Sequence, residues 1–382
     1  MPEPSSSRQS RRRWFGPDTW PYLLSPLIPA AVVADVADAS ATLVFFLSAL
    51  ALIPPAAMMG RATEELAERS GNLVGGLLNV TFGNAPELII ALFALGKGLQ
   101  EVVKASLVGS ILGNILLVMG AAMLVGGLTG GRSGSTQKFG RTAANVQSTM
   151  LLLAVAALIM PAVFVLVQGG GLPAAGAERV DFGGDVEHLS FAVARVLIVS
   201  YIAGLYFSLR THADLFNPHE EESSTEGRGG WATRRSVVAL AVSGAFVGLM
   251  SEILVGSIEE ASHAIGLSEF FIGVIVVAIV GNAAEHWVAV LVAYKNKMDL
   301  AVNIGIGSAA QVALFVAPLL VVCSFFIGPG PMPLVFNGFE LGAILVAALI
   351  AQYVTYDGET NWFEGVQLLA VYVILGLTFY YA

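Results

Sequence analysis

The sequence predicts an all-α polytopic membrane protein of about eleven transmembrane helices, built as two inverted five-helix repeats with one extra N-terminal helix. Three observations carry this. Of 382 residues, 56% are hydrophobic and only 12% charged, where a soluble domain carries about 25% charged residues. About eleven apolar stretches approach the 20 or so residues that cross a bilayer. A short acidic motif also occurs twice inside such stretches, as Gly83-Asn84-Ala85-Pro86-Glu87 and as Gly281-Asn282-Ala283-Ala284-Glu285-His286.

The stretches lie near 20–35, 41–60, 72–96, 104–128, 144–167, 188–209, 236–257, 268–294, 300–325, 334–354 and 362–381. The first is short and holds Pro21, Pro26 and Pro29. Arg8, Arg11, Arg12 and Arg13 precede it, as in a secretory signal, but no small-residue cleavage site ends it. It therefore reads as a retained helix. No alternating pattern supports a β-barrel. The expected division is 1–40 (basic tail and extra helix), 41–209 (first repeat), 210–235 (acidic cytoplasmic linker) and 236–382 (second repeat).

Loop charges orient the chain. With the N-terminus in the cytoplasm, the inside loops hold Arg61 and Arg69, then Arg132, Lys138 and Arg141. They also hold Arg210, Arg228, Arg234 and Arg235, and finally Lys295 and Lys297. Only Lys97, Lys104 and Arg179 fall outside, and Arg195 lies within a span. This is the bias that the positive-inside rule expects. The two motif helices then run antiparallel, as an inverted repeat requires. Glu64-Glu65 precede the first motif helix and Glu259-Glu260 the second. Gly109-Ser110 with Asn114 follows the first; Gly307-Ser308 with Gln311 follows the second. Glu87 to Ser110 and Glu285 to Ser308 are both 23 residues.

An acid in mid-membrane costs roughly 2.5–3.5 kcal/mol on insertion scales and marks function. Asn84 and Glu87 are three residues apart, as are Asn282 and Glu285, so each pair shares a helix face. The glycines weaken the helix. Pro86 removes a donor and frees a carbonyl near Phe82 and Gly83, tolerated at depth only where protein, water or an ion satisfies it. Two carboxylates with carbonyl oxygens suit Ca2+, which takes six to eight oxygens. Ser110, Ser308 and Gln311 add neutral oxygens for the ion or its waters, or else make ordinary interhelical hydrogen bonds. Two neighbouring buried acids cannot both stay ionised without a cation, so one site alternates between Ca2+ and H+. His286 reads as a proton relay or a packing residue, and Glu252 as a further acid on the ion path. Glu340 and Asp35 read as interfacial.

Other classes fit poorly. The net charge of -9 and the absence of a basic stripe exclude a nucleic-acid partner. The single cysteine, Cys323, excludes an intrachain disulfide and a cysteine-rich metal site. The five histidines lack His-x-x-x-His spacing, so no enzyme and no cofactor are expected.

Thr81-Phe82-Gly83-Asn84, Val280-Gly281-Asn282-Ala283-Ala284-Glu285-His286 and Gly109-Ser110-Ile111-Leu112-Gly113-Asn114 resemble the α1 and α2 repeats of the cation/proton exchanger (CAX) family. That family lies within the Ca2+/cation antiporter superfamily. The resemblance covers about residues 40–382 and implies secondary active Ca2+/H+ antiport. It implies a central site of Glu87 and Glu285 with backbone carbonyls near Gly83 and Gly281, assisted through water by Ser110, Ser308 and Gln311. The acidic stretch 219–226 is similar to the family's linker. The family's longer N-terminal regulatory region has no counterpart here, so regulation by a tail is not expected.

A sodium-coupled or monovalent cation antiporter of the same superfamily is the rival reading. Its extra sites need more polar groups than the Asn282, Glu285 and His286 of the second motif helix. A cation channel is a weaker rival. Mn2+ is expected as a minor substrate. A prokaryotic plasma membrane is the first expectation and a vacuolar membrane the second.

Overall fold

The computed structural model describes residues 19–129, 136–175, 182–212 and 230–382. The basic tail, Arg132, Arg179, Arg228 and the acidic run Glu220-Glu221-Glu222 lie outside them.

A 3-10 turn over Trp20–Leu24 leads into α1 (Leu27–Val36). Pro21 opens the turn, where its missing N–H costs nothing. Then comes α2 (Ala41–Gly83). The sequence predicts a loop near 61–71, and the structure instead stays helical there. Ala62, Glu64, Glu65, Leu66, Ala67 and Glu68 are good helix formers. The reversal is sharper and later. A Cβ on Gly75 would overlap the Ala67 carbonyl oxygen and meet its carbon at 2.9 Å. Eight residues along a straight helix span about 12 Å. The chain therefore folds back on itself between Ala67 and Gly75, an approach that a side chain would block. The first leg, Ala41–Ser70, is a span of its own.

The remaining helices are α3 (Ala85–Gly96), α4 (Gln100–Thr129), α5 (Arg141–Val167), α6 (Gly184–Thr211) and α7 (Thr233–Ile265). After them come α8 (Glu269–Gly281), α9 (Ala283–Tyr294), α10 (Met298–Ser324), α11 (Gly338–Val354) and α12 (Trp362–Tyr381). Among the described residues, seven helices are long and apolar enough to cross a membrane, or eight if the bent pair α8–α9 is one span. The N-terminal element, α3 and α11 are shorter apolar helices. β1 (Gln137–Lys138) pairs antiparallel with β2 (Glu359–Thr360), tying the α4–α5 connection to the α11–α12 connection. Lys138 and Glu359 add an ion pair at 3.1 Å.

The bundle is assembled by close helix crossings at small residues, as expected where no hydrophobic drive brings helices together. A Cβ on Gly109 of α4 would overlap the Val274 carbonyl oxygen of α8 and stand 2.7 Å from Ala278 Cβ. Gly273 of α8 faces Ala105 of α4 in the same way, at 2.9 Å. The two helices thus meet backbone to backbone. Among the described residues, four helices contain wide π turns: Gly113–Val118 in α4, Phe207–Thr211 in α6, Ile272–Val277 in α8 and Val312–Val316 in α10. Those in α4 and α10 directly follow the Ser110 and Ser308 segments. Such turns cluster at functional sites.

Glu340 stands at the start of α11, the span end where the sequence puts it, but is enclosed by protein there, 1% exposed. It lies in the first turn of α11, in a capping box: Asn337 Oδ1 accepts the Glu340 N–H at 2.9 Å, and Glu340 Oε2 accepts the Asn337 N–H at 2.8 Å. The helix start fixes the carboxylate beneath the chain that leads into it.

Gly109→Ala should lower the thermal unfolding midpoint in detergent by several degrees, since overpacking against backbone costs about 1–3 kcal/mol. Gly256→Ala, where a Cβ meets nothing within 4 Å, should leave the midpoint unchanged or raise it. Equal midpoints for the two variants would show that the α4–α8 crossing is not tight.

Candidate ion-binding site

Both motif helices break at their asparagine. Asn84 separates α2 from α3 with φ −95 and ψ 19, and Asn282 separates α8 from α9 with φ −100 and ψ 3. The bend at Asn282 is 59°. Ala85 and Ala283 begin the half-helices α3 and α9, so Glu87 and Glu285 both fall in a first turn. There the helix dipole presents its positive end to a carboxylate. Pro86 also lies at the start of α3, where a missing N–H is harmless. The Phe82 carbonyl, expected to be free, accepts the Asn84 N–H.

The two acids cross over. A Cβ on Gly83 would lie 3.8 Å from Glu285 Oε1, and a Cβ on Gly281 would lie 3.5 Å from Glu87 Cγ. Each carboxylate therefore leans on the other motif's glycine, whose bare backbone leaves it room. The amides cross as well. Asn84 Nδ2 donates to Gln311 Oε1 of α10 at 2.6 Å. Asn282 Nδ2 donates to Ser110 Oγ of α4 at 3.1 Å and to the Ala278 carbonyl at 3.0 Å. Ser308 Oγ donates to Glu285 Oε2 at 3.2 Å.

This pattern spends the amide donors and leaves oxygens over. Asn84 Oδ1, Asn282 Oδ1 and Glu87 Oε2 are buried without a hydrogen-bond partner. An unsatisfied buried polar group costs about 1–3 kcal/mol, so a set of them calls for water or an ion to answer it. The spare groups here are oxygens, which select a hard cation such as Ca2+. Glu87 and Glu285 are partly buried as whole residues, and Glu87 Oε2 itself is enclosed. Among the described residues, no group of three or more His, Cys, Asp or Glu is placed to hold a metal ion. A cation here would be held by two carboxylates and neutral oxygens.

The other expected residues are distributed around this pair. Asn114 is fully buried in the π turn of α4, with both amide atoms unpartnered. His286 Nε2 is also buried and unpartnered, and its ring faces Gly113. Glu64 lies late in the first leg of α2. Trp20 of the N-terminal turn packs edge to face on Trp287, just beyond His286, with centroids 5.7 Å apart. Glu252 sits on an exposed position of α7, and no bond joins it to the cluster. Sequence reasoning missed Gln147 and Asn303, which hydrogen-bond between α5 and α10 and flank Gly307 beside Ser308. Their only signal was an amide inside an apolar stretch.

The family model described as sodium/calcium exchanger protein matches residues 40–210 and 235–381. The chain is 42% identical over 364 residues to the Ca(2+)/H(+) antiporter ChaA of Bacillus subtilis (strain 168), covering 94% of this chain and 97% of that one. It is 45% identical over 361 residues to a Ca(2+)/H(+) antiporter of Synechocystis sp., covering 89% and 91%. The solved structure of native YfkE superposes with a TM-score of 0.78 at 39% identity, covering 95% of this chain and 100% of that one. With the family model matching nearly the whole chain around two crossed acidic motifs, this protein belongs to the sodium/calcium exchanger family.

Proposed function

We propose that this protein is a secondary active antiporter that exchanges Ca2+ for H+ by alternating access to one site shared by Glu87 and Glu285. The observation that carries the reading is the crossed carboxylate pair ringed by unpaired amide oxygens. Two acids facing one space need compensation. One Ca2+ supplies it, and so do protons. Either guest excludes the other, and the empty ionised pair is the costly state, so charge passes across the membrane only by exchange. Relatives that carry the name Ca(2+)/H(+) antiporter at 42% and 45% identity support this over a sodium-coupled mechanism. Neither a catalytic nor a cofactor role is part of the reading.

The finer layout belongs to the same proposal. About eleven membrane helices form two inverted repeats behind one N-terminal helix. In support, the two breaks share backbone angles, the two acids share helix position, and each motif's amide reaches the opposite half. The charge bias of the loops favours a cytoplasmic N-terminus. The bacterial relatives favour a prokaryotic plasma membrane, and Mn2+ is a minor substrate.

The test is uptake into vesicles reconstituted with the purified protein. Vesicles loaded acid inside should accumulate Ca2+, whereas vesicles loaded with Na+ at equal pH should not. Uptake driven by Na+ alone would overturn the proton-coupled reading.

Glu87→Gln and Glu285→Gln keep volume and hydrogen bonding but remove the charge that both ions require. Each should abolish proton-driven uptake while unfolding at a temperature near wild type. Near-normal transport by either variant would refute a shared site. Ser308→Ala should raise half-saturating Ca2+ by about fivefold, the worth of one net hydrogen bond of about 1 kcal/mol, with maximal rate little changed. An unchanged affinity would make Ser308 a packing residue.

A further inference from the structure

A second cluster of buried charge lies away from the glutamate pair. Lys104 of α4 is 1% exposed, a place that lysine rarely occupies unless paired. Its Nζ donates to the Val335 carbonyl at 2.7 Å and pairs with Glu101 at 2.7 Å. The buried carboxylate of Glu340 is close enough to interact with it electrostatically. One turn earlier, Gln100 Nε2 donates to the Gly330 carbonyl at 2.8 Å and to the Pro331 carbonyl at 3.4 Å.

All these backbone acceptors belong to one segment, residues 328–337, which joins α10 to α11. Two further bonds hold it down: Leu334 N–H donates to Ser190 Oγ of α6 at 3.0 Å, and Met332 N–H to Ser324 Oγ at 2.8 Å. The segment is a strap of the second half, fastened across the start of a first-half helix. That helix leads to the ion site. Ser110 lies about 9 Å along α4 from Lys104 and accepts the amide of Asn282.

Among the described residues, the second half shows no such buried lysine. Lys104 is 17 residues past Glu87, and the residue 17 past Glu285 is Val302. The start of α10 instead offers Asp299, which accepts the Gly140 N–H. The ion pair at that end, Lys138 with Glu359, is exposed at 78% and 45%.

We propose that Lys104 is a positioning residue for the ion site: its bond to the Val335 carbonyl sets the height and rotation of α4, and so places Ser110 against Asn282, while Glu101 and Glu340 balance its charge. The inference rests on the antiport reading above.

The experiment compares wild type, Lys104→Met, Lys104→Met with Glu340→Gln, and Gln100→Ala in reconstituted vesicles, alongside thermal unfolding. Lys104→Met takes the partner from the part-exposed Glu101 and the nearby positive charge from the buried Glu340, and is expected to be the least stable, because breaking a buried charge pair is costly. The double variant keeps the net charge of the cluster, neutralises its two buried members and leaves one charge, on the part-exposed Glu101 that water can reach. It should unfold close to wild type and yet require about fivefold more Ca2+ for half-saturation, with maximal rate held within about twofold. Gln100→Ala should shift the same way by less. A folded double variant with wild-type half-saturation would overturn the proposal, as would a loss confined to maximal rate. Failure of wild type to take up Ca2+ under a pH gradient would instead refute the antiport reading, so the two failures are distinguishable.

Discussion

Two carboxylates held against each other's glycine inside an apolar bundle constrain everything around them. A charge in this setting is tolerable only if dipoles, donors or a counter-ion answer it. The chain supplies dipoles by breaking both motif helices, so that Glu87 and Glu285 each sit in the first turn of a new one. It supplies donors sparingly. Glu285 receives the hydroxyl of Ser308, whereas Glu87 Oε2 is left without a partner. That shortfall is what a transporter needs, because a fully satisfied pair would have no use for an ion.

The crossing of the two motifs makes the site a joint property of both halves. Asn84 reaches Gln311, and Asn282 reaches Ser110. Neither half completes its own carboxylate environment. A displacement of one half against the other therefore changes both acids together, which keeps the two from acting as independent binding groups. The match is not perfect. Glutamine stands opposite one asparagine and serine opposite the other, and the buried Lys104 cluster has no counterpart among the described residues.

Much of this was legible in the sequence because each signal was local and out of place. A glycine, an amide and an acid inside an apolar run stand out by composition alone, and equal spacing to Ser110 and Ser308 pairs the halves. What escaped was set by tertiary packing. Glu340 stands at a helix start, as its position along the chain suggests, but that protein encloses it there is decided by packing around its capping box with Asn337. The helix through 61–70 follows from good local propensity, whereas the loop expectation rested on charge. Lys104 counted only as one outside lysine, because a backbone carbonyl more than two hundred residues away leaves no trace in sequence. The Gln147–Asn303 pair escaped for the same reason.

The unequal motifs show which residue makes the break. The first has proline two residues after its asparagine and the second has alanine, yet the backbone angles at Asn84 and Asn282 nearly coincide. Proline is therefore not required for the break. At Asn282 the side-chain Nδ2 donates to the Ala278 carbonyl at 3.0 Å, sharing an acceptor with the residue's own N–H at 3.3 Å. The side chain competes for the bond that would continue the helix, the behaviour that makes asparagine a poor interior residue. In the first motif Asn84 points its amide to Gln311 instead, and Pro86 closes off the helical alternative from the other side. The same broken geometry is reached by two local routes. The shared element is an asparagine whose donors are occupied and whose oxygen remains free beside the acids, so the residue that breaks each helix also supplies the site with a spare oxygen.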